Sequence, residues 1–577
     1  MFRDIFVVPV SKNQNKQRTP PQPAKLVQAT PAAERRPFGI PYPMLLLVLA
    51  VVAIYFPSFS LGFTELDDTI FIREFRAYNE DTGNLLKAFT RGLFDATKDP
   101  YYRPLFSDAM ILNYQATGDE PAGYHLVNIL LHMGAVLLFY RLTVMLGVKR
   151  LHGFLLALVF AVHPVLTQAV AWIPGRNDTM LAVFVLLFMQ YAIRYVGSNR
   201  PVDLILSGIW LLCAYFTKET AVFAAPAMLA LLVLYMGRRW NEKPLVTQYI
   251  VWAVCFVIWY GARAAATTAA SGIGTADAMG DLVRRLPVLV QYIGKMWLPF
   301  NLSVFPMQQD TVLWYGIVAI VLMVAVVLLN KGRNEKAVAA ALIIMLLFLM
   351  PALLVPEKLN KQTFEHRLYL PMMGMLLLLP QTILLANKLE PRRLTMIWVA
   401  VCVFFGAYNN RHQQHFADPL SFWTQAAETS PNSAYANMML AARLEKTEFA
   451  RSEELFRKAY RLDPREKYLN YYMAEVLQRK DSVLASEKYL LVEKEISDYV
   501  QCDFYLARVY MEKGDKQGAI NVLERFLRRA QGNMMAHNNL LLLYMELGHI
   551  DKARTHIKEM RAMGLDVPPQ IAAQAGA

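Results

Sequence analysis

The sequence predicts an all-α protein in two parts, a polytopic bundle of membrane-spanning helices followed by a solenoid of helical repeats. The chain has 577 residues, of which 55% are hydrophobic, and the apolar residues are concentrated before Asn409. Up to that point, apolar runs of about 18 to 22 residues alternate with short basic loops, and such runs are long enough to cross a hydrocarbon core roughly 30 Å thick. After Asn409 the chain becomes polar, and small and aromatic residues recur with a period of about 34.

The charge of the chain could suggest a nucleic-acid partner. It amounts to +13, from 59 Lys and Arg residues against 46 Asp and Glu residues. The basic residues lie mainly at the ends of the apolar runs, where the positive-inside rule places them in cytoplasmic loops. We therefore attribute the charge to membrane topology and predict no nucleic-acid partner.

Neither the cysteines nor the N-terminal segment predicts a functional site. Cys213, Cys255 and Cys402 fall inside apolar runs and Cys502 stands alone, so neither a disulfide framework nor a metal-binding pattern is predicted. Residues 1–40 are polar and rich in Pro and Gln, and the first apolar run begins too late for a cleavable signal peptide. We expect a disordered cytoplasmic tail over 1–40.

The apolar runs predict about eleven spans in a membrane domain that covers 41–415. They lie near residues 43–63, 124–145, 152–172, 179–196, 203–217, 220–236, 246–263, 312–329, 337–354, 368–386 and 394–409. The segment 286–300 is also apolar, but Lys295 and Pro299 interrupt it. We expect this segment to be re-entrant or interfacial.

The basic loops predict the orientation. With a cytoplasmic N-terminus, alternate loops carry Lys149, Arg194, Arg238, Lys331 and Lys388, and each is then cytoplasmic. An odd number of spans places the long first loop, 64–123, on the outer face. The C-terminal part lies on the same face.

The C-terminal part, 416–567, has the pattern of tetratricopeptide repeats. Ala507, Tyr510, Gly514, Ala519 and Leu523 are matched about 34 residues later by Leu541, Tyr544, Gly548, Ala553 and Ile557. We predict about four units and a short tail over 568–577. Stacked helix pairs leave a concave groove that suits a peptide, and the alternative is a structural cap or a dimer surface.

An acidic motif, Glu65-Leu66-Asp67-Asp68, follows the first span at the outer surface and opens the long loop. Two adjacent carboxylates at the end of a span are commonly solvated interfacial charges. Here they share the outer face with further polar clusters, which favours a functional role.

These clusters contain the cationic groups that an anionic lipid donor requires. They are Tyr102-Arg103-Pro104, Gly175-Arg176-Asn177-Asp178, Thr217-Lys218-Glu219 and Glu365-His366-Arg367-Leu368-Tyr369. All four lie on the outer face under a topology derived without them. Arg and Lys side chains at such places can hold phosphate oxygens through charge-assisted hydrogen bonds.

Histidines occur inside the predicted spans, where a packing role is the usual one. His163 precedes Pro164 in the third span, and His125 and His132 lie about two turns apart in the second. No HExxH, CxxC, Walker loop or GxGxxG motif is present, so soluble nucleotide chemistry is not predicted.

Several of these strings together resemble a known family. They are Tyr102-Arg103-Pro104-Leu105, Tyr124-His125-Leu126-Val127-Asn128, His163-Pro164-Val165, Ala169-Val170-Ala171-Trp172-Ile173, Gly175-Arg176, Lys218-Glu219 and Glu365-His366-Arg367-Leu368-Tyr369-Leu370-Pro371. The chain resembles the transmembrane and tetratricopeptide-repeat O-mannosyltransferases and their bacterial relatives. That family is similar to the GT-C superfamily, whose members use a polyprenyl-phosphate sugar and have an acidic motif in the first outer loop.

The resemblance implies roles for the site residues. Asp67 or Asp68 would be the catalytic base of an inverting sugar transfer, with the lipid phosphate as leaving group. Donor phosphate binding would fall first to Arg367 and then to His366, Lys218, Arg103 and Arg176. The supporting polar residues would be Glu219, Asp178, Glu365, Tyr369 and His163. No metal or other cofactor is expected to be required, although paired carboxylates could also hold a divalent ion.

The predicted function is therefore transfer of a sugar from a lipid-linked donor to a Ser or Thr hydroxyl of a protein, such as a pilin, held by the repeat groove. The expected location is a bacterial inner membrane with periplasmic repeats, and the alternative is an ER membrane. Two other functions stay open at this point. One is a lipid-glycan ligase, polymerase or oligosaccharyltransferase, and the other is a membrane scaffold that recruits envelope proteins without catalysis.

Overall fold

The computed structural model describes residues 42–94, 100–267, 280, 282–354, 361–385 and 390–576. Within these ranges the regular elements are helices, and Met307 and Gln362 form an isolated bridge. The structure therefore confirms the all-α class. The N-terminal tail predicted over 1–40 lies outside the described residues.

Apolar helices build the first part of the molecule. Five are long and apolar enough to cross a membrane: Tyr42–Ser60, Pro121–Met145, Ile173–Ser198, Lys243–Ala266 and Glu335–Leu354. Three shorter apolar helices are Pro201–Thr217, Glu219–Tyr235 and Trp314–Leu328. Together they confirm a multi-pass helical membrane protein.

The predicted third span is broken. Arg150–Val162 and Pro164–Ala171 meet at an angle of 49°, because Pro164 lacks an amide proton and cannot continue the helix. The chain then turns through Ile173–Gly175 into Arg176–Ser198. A Cβ at Gly175 would lie 2.6 Å from the carbonyl oxygen of Gln168, so this tight turn requires glycine.

The segment predicted to be re-entrant or interfacial forms the helix Leu286–Trp297. Its 12 residues extend about 18 Å, which is too short to cross the hydrocarbon core. It packs on Trp314–Leu328 where two glycines meet, and a Cβ on Gly294 would lie 2.6 Å from the Cα of Gly316.

The last two predicted spans also begin with helices. Tyr369–Leu378 is followed by a short turn at Leu379–Gln381, so the helix is shorter than the predicted span 368–386. Pro391–Gln413 is long and packs on the first apolar helix, where the buried Asn409 amide donates to the Tyr55 hydroxyl at 3.0 Å.

The loop after the first apolar helix is folded rather than open. It contains the short helices Asp67–Thr69, Ile70–Glu74, Arg76–Glu80, Asn84–Lys87 and Ala88–Thr90, and then Pro104–Thr117. Phe71, Phe106 and Met110 bury their side chains in a shared apolar cluster. The loop therefore forms a cap over one end of the bundle.

The C-terminal part is a succession of amphipathic helices, each packed on its neighbours. They are Pro419–Thr429, Ala434–Leu444, Phe449–Leu462, Leu469–Arg479, Val483–Ser497, Gln501–Glu512, Lys516–Leu527, Met534–Glu546, Ile550–Ala562 and Pro569–Ala575. Gly514 and Gly548 adopt positive φ angles of 77° and 71° in the turns between helices, which explains why glycine recurs there.

The first helix of the C-terminal part is attached to the capped end of the bundle. Phe422 and Trp423 are fully buried beside Phe305. The Gln425 side chain accepts a hydrogen bond from the Val304 amide at 2.9 Å and donates to the Leu302 carbonyl at 2.9 Å. The two parts of the chain therefore share a core.

The close contact between Gly294 and Gly316 gives a test of the packing of helices Leu286–Trp297 and Trp314–Leu328. We expect Gly294→Val to lower the free energy of unfolding by about 1–3 kcal/mol, because the added side chain forces the two helices apart. Thermal unfolding in detergent measures the effect. Gly261→Ala is the control, since a Cβ at Gly261 meets no atom within 4 Å, and equal melting temperatures for the two variants would contradict the prediction.

Candidate functional site

The two adjacent acidic residues have different roles. Asp68 is buried, and its carboxylate accepts hydrogen bonds from the Thr64 amide at 2.6 Å, the Thr64 hydroxyl at 3.0 Å, the Leu66 amide at 3.1 Å and the Thr69 amide at 3.0 Å. The carboxylate therefore holds the turn that starts the outer loop, and it does not face the cavity described next.

Asp67 faces a cavity at the capped end of the membrane helices. Burial of its carboxyl, together with the negative charge of Asp68, raises its pKa to about 6, and Arg103 opposes this rise. A carboxylate with a pKa near 6 is still mostly ionised at neutral pH and is a stronger proton acceptor than an ordinary Asp.

The cavity has a volume of about 490 Å³ and collects side chains from segments that are far apart in the sequence. The predicted site residues that line it are Asp67, Arg103, Asp178, Lys218, Glu219, His366 and Arg367. Trp172, Phe223 and Phe348 form apolar parts of the cavity wall. A polar centre with apolar walls suits a ligand that has a charged head and a nonpolar part.

Two ion pairs fix the cavity wall. Lys218 Nζ lies 2.8 Å from both carboxylate oxygens of Asp178, and Arg103 Nε lies 3.0 Å from Glu219. Glu219 also accepts the backbone amide of Tyr102 at 2.9 Å. Since these cations already have carboxylate partners, they shape the site more than they add net positive charge.

His366 lies beside the first of these pairs. Its Nε2 is 4.0 Å from Asp178, and its backbone amide donates to the Gln168 side chain at 3.1 Å. Burial, followed by the nearby Lys218, Arg367 and Arg103, lowers the pKa of His366 well below its ordinary value. A neutral imidazole at this place can exchange hydrogen bonds but adds no charge.

Two arginines line the cavity without a carboxylate partner in the part of the chain that the structure describes. Arg367 donates to the Gln362 carbonyl at 2.9 Å, and Arg263 donates to the Pro100 carbonyl at 3.0 Å. Their charges remain available to an anion. Arg263 was not predicted, because it ends an apolar run and belongs to no recognisable motif; its place at the outer end of a span was the only signal.

Arg176 lies outside the cavity, although it was predicted to bind the donor. It is fully buried, and its guanidinium donates to Asn128 at 2.8 Å, Asn113 at 2.7 Å and the Tyr124 carbonyl at 2.9 Å. With its donors used in this way, Arg176 ties the cap to the bundle.

Three of the predicted supporting residues also lie outside this cavity. Glu365 forms a buried ion pair with Lys295 at 2.6 Å, and the hydroxyl of Tyr369 lies 2.6 Å from the Nδ1 atom of His132. His163 lines a separate apolar cavity of about 370 Å³. Glu365 and Tyr369 instead anchor the turn that presents His366 and Arg367.

The side chains at this site do not indicate a metal-binding site. Among the residues that the structure describes, no group of three or more His, Cys, Asp and Glu side chains could hold a metal ion. The expectation that no metal is required stays a prediction.

Comparison with known proteins confirms the resemblance drawn from the sequence. Residues 104–260 match the family described as dolichyl-phosphate-mannose-protein mannosyltransferase. The protein O-mannosyl-transferase Tmtc1 of Drosophila melanogaster is 37% identical over 133 residues, and TMTC4 of Homo sapiens is 38% identical over 141 residues. The chain is therefore similar to GT-C glycosyltransferases of the transmembrane and tetratricopeptide-repeat type.

These matches cover part of each protein. The match to Tmtc1 spans 23% of this chain and 15% of the relative, and the match to TMTC4 spans 22% and 19%. The family match includes Asp178, Lys218 and Glu219 and ends before Arg263, His366 and Arg367. The cavity itself therefore provides the evidence that joins these later residues to the site.

The different roles of the two carboxylates predict different effects on stability. We expect Asp68→Ala to lower the free energy of unfolding by about 2 kcal/mol or more, because four hydrogen-bond donors lose their partner. Asp67→Ala should leave the free energy of unfolding unchanged or raise it, since ionisation of that carboxyl opposes folding. Thermal unfolding at pH 7 compares the two, and a larger loss for Asp67→Ala would contradict the assignment.

Proposed function

We propose that this protein is a GT-C-type membrane glycosyltransferase that moves a sugar from a polyprenyl-phosphate donor to a hydroxyl of a protein, with inversion at the anomeric carbon. One observation carries the proposal. A single cavity at the outer end of the membrane helices contains a carboxylate with a raised pKa, Asp67, and two guanidinium groups, Arg263 and Arg367, that have no carboxylate partner among the described residues.

The reaction follows from the charges. Asp67 accepts the proton of the acceptor hydroxyl while that oxygen attacks the anomeric carbon. The bond between this carbon and the phosphate oxygen breaks, and the lipid phosphate leaves with the electron pair. Arg367 and Arg263 stabilise the negative charge that gathers on the phosphate.

The paired residues support this step without taking a proton. Lys218 with Asp178, and Arg103 with Glu219, hold the walls at fixed distances, so the free guanidinium groups are positioned before the donor binds. Such preorganisation is the main source of electrostatic catalysis in sites of this kind. His366 can donate a hydrogen bond to a sugar or phosphate oxygen.

We infer about eleven spans, with 286–300 re-entrant, and a C-terminal tetratricopeptide solenoid on the side of the cavity. The recurrence of helix pairs with glycine turns at Gly514 and Gly548 supports the solenoid. Its groove would present the acceptor, a protein such as a pilin or another secreted polypeptide.

The cellular location follows from the proposed topology. The basic loops favour a cytoplasmic N-terminus, and the cavity and the repeats then lie on the outer side. We propose a bacterial inner membrane with a periplasmic site, and an ER membrane with a lumenal site is the alternative. The two differ in the donor lipid, which mass spectrometry of co-purified lipid distinguishes.

Loss of the proposed base tests the function. We expect Asp67→Asn to lower sugar transfer by a factor of about 10²–10⁴, because the acceptor proton loses its acceptor. Intact-protein mass spectrometry of secreted proteins, from cells with equal expression, measures the added sugar mass. In the wild type, transfer should also fall as the pH drops below about 6, since protonated Asp67 cannot act as a base.

The control for this experiment is Asp81→Asn. Asp81 belongs to the same outer loop and is largely exposed, and its carboxylate lies 3.7 Å from Lys87 Nζ and accepts the Gly83 amide at 2.8 Å, away from the cavity lining. Transfer by this variant should match the wild type. Unchanged glycosylation in Asp67→Asn would reject the proposal and favour a non-catalytic scaffold.

The placement of Arg263 and Arg367 on the cavity wall predicts a change in donor affinity when either is replaced. We expect Arg367→Gln and Arg263→Gln each to raise the donor KM roughly tenfold or more, because each removes a charge-assisted hydrogen bond to phosphate. Transfer in proteoliposomes with varied donor concentration measures it. Arg76→Gln is the matched control, since Arg76 lies on the exposed side of the cap and pairs with Glu80 at 2.9 Å. An unchanged donor KM in both arginine variants would contradict phosphate binding here.

A further inference from the structure

The segment that carries Asp67 is held from the C-terminal part of the chain as well as from the membrane helices. The Gly62 amide donates to the Ala417 carbonyl at 2.8 Å, and Leu61 lies in the same apolar cluster as Phe416 and Trp423. These contacts hold residues 61 and 62. Leu66, in the turn on which the position of Asp67 depends, packs against the same cluster and is only partly buried.

An ion pair makes the second attachment, at that turn. Arg443, on the helix Ala434–Leu444, places its guanidinium 2.5 Å from the carboxylate of Glu65. Each side chain is 31% exposed, so the pair is neither buried nor fully solvated. Glu65 is two residues from Asp67, and the contact therefore acts where the chain turns towards the cavity.

The backbone at Glu65 has an unusual conformation. Its φ is 56°, in the left-handed region that side chains other than glycine avoid. The hydrogen bonds of Asp68 to Thr64 and Leu66 close this turn from one side. The ion pair holds the Glu65 side chain from the other side, so a residue without an intrinsic preference for this geometry keeps it.

The same helix from the C-terminal part also approaches the Asp67 carboxyl. Tyr435 is packed between Phe305 and Trp423, with ring centroids 5.7 and 5.5 Å away. Burial raises the pKa of the Tyr435 phenol, and the Asp67 carboxylate adds to the rise. Arg443 and Tyr435 thus place one helix of the C-terminal part on the flank of the site.

We propose that Arg443 is a positioning residue that holds Asp67 in the cavity through its ion pair with Glu65, so that the helical tail completes the active site. This inference rests on the proposed function for its catalytic consequence. It also adds a role for the tail beyond that of a groove, because the tail's contact with the loop then sets the rate of transfer.

Loss of the ion pair should change the local stability of the turn at Glu65 and not the global stability of the protein. Partly exposed pairs contribute little to overall stability, so Arg443→Glu should leave the melting temperature in detergent nearly unchanged. It should raise hydrogen exchange of the amides of Leu66 and Thr69 about threefold or more, since the turn opens more often. It should also lower the kcat of sugar transfer about tenfold, through misplacement of Asp67, with the donor KM unchanged.

Charge reversal of both partners tests the proposal on the full-length protein. The double variant Glu65→Arg with Arg443→Glu restores the attraction and should return both exchange and kcat towards the wild-type values. The matched control is Arg479→Glu, because Arg479 pairs with Glu445 at 3.1 Å within the C-terminal part and should affect neither readout.

The outcomes separate this inference from the proposed function. Unchanged exchange over 61–69 in Arg443→Glu, or a double variant as impaired as Arg443→Glu, would overturn the positioning role. Transfer that is the same in wild type and Asp67→Asn would instead overturn the proposed function, and the exchange measurement would still decide whether Arg443 holds the loop.

Discussion

The ion pair between Lys218 and Asp178 is the interaction on which the site depends most. Both side chains are nearly buried, at 11% and 7% exposure, and an unpaired charge at such a place would be strongly destabilising. Asp178 lies in the first turn of the helix Arg176–Ser198, which follows the glycine turn, and Lys218 lies at the break between Pro201–Thr217 and Glu219–Phe223. The pair therefore fixes the two inner walls of the cavity relative to each other.

The requirement that buried charges be paired also explains how cations are divided in the cavity. Lys218 and Arg103 have carboxylate partners and set the geometry. Arg367 and Arg263 donate to backbone carbonyls and have no carboxylate partner within the part of the chain that the structure describes. An anion can therefore enter without displacing a carboxylate from the wall. This arrangement suits a phosphate that must be bound and then released, because the site keeps its shape in both states.

The cap and the tail complete the site from outside the bundle. The buried Arg176 joins Asn113 of the cap to Asn128 of a membrane helix, and the C-terminal helices reach Gly62 and Glu65 from the other side. The carboxylate Asp67 thus closely follows a short segment, 62–65, that the C-terminal part contacts at both ends. A strained turn of this kind keeps its geometry only when surrounding contacts determine it.

The sequence alone determined the class of the protein and most of the residues of its site. The length and periodicity of the apolar runs are local properties, so they predicted an all-α membrane protein with a helical tail. The clusters around Arg103, Lys218 and His366 were recognisable because ionisable residues next to the membrane are costly and commonly mark functional sites. The tertiary structure decided which charges face each other. It showed that Asp68 and Arg176 are held by hydrogen bonds within the protein, that Arg263 lines the cavity, and that Arg443 reaches Glu65. The direction of a side chain depends on how distant helices pack, and no local sequence pattern contains that information.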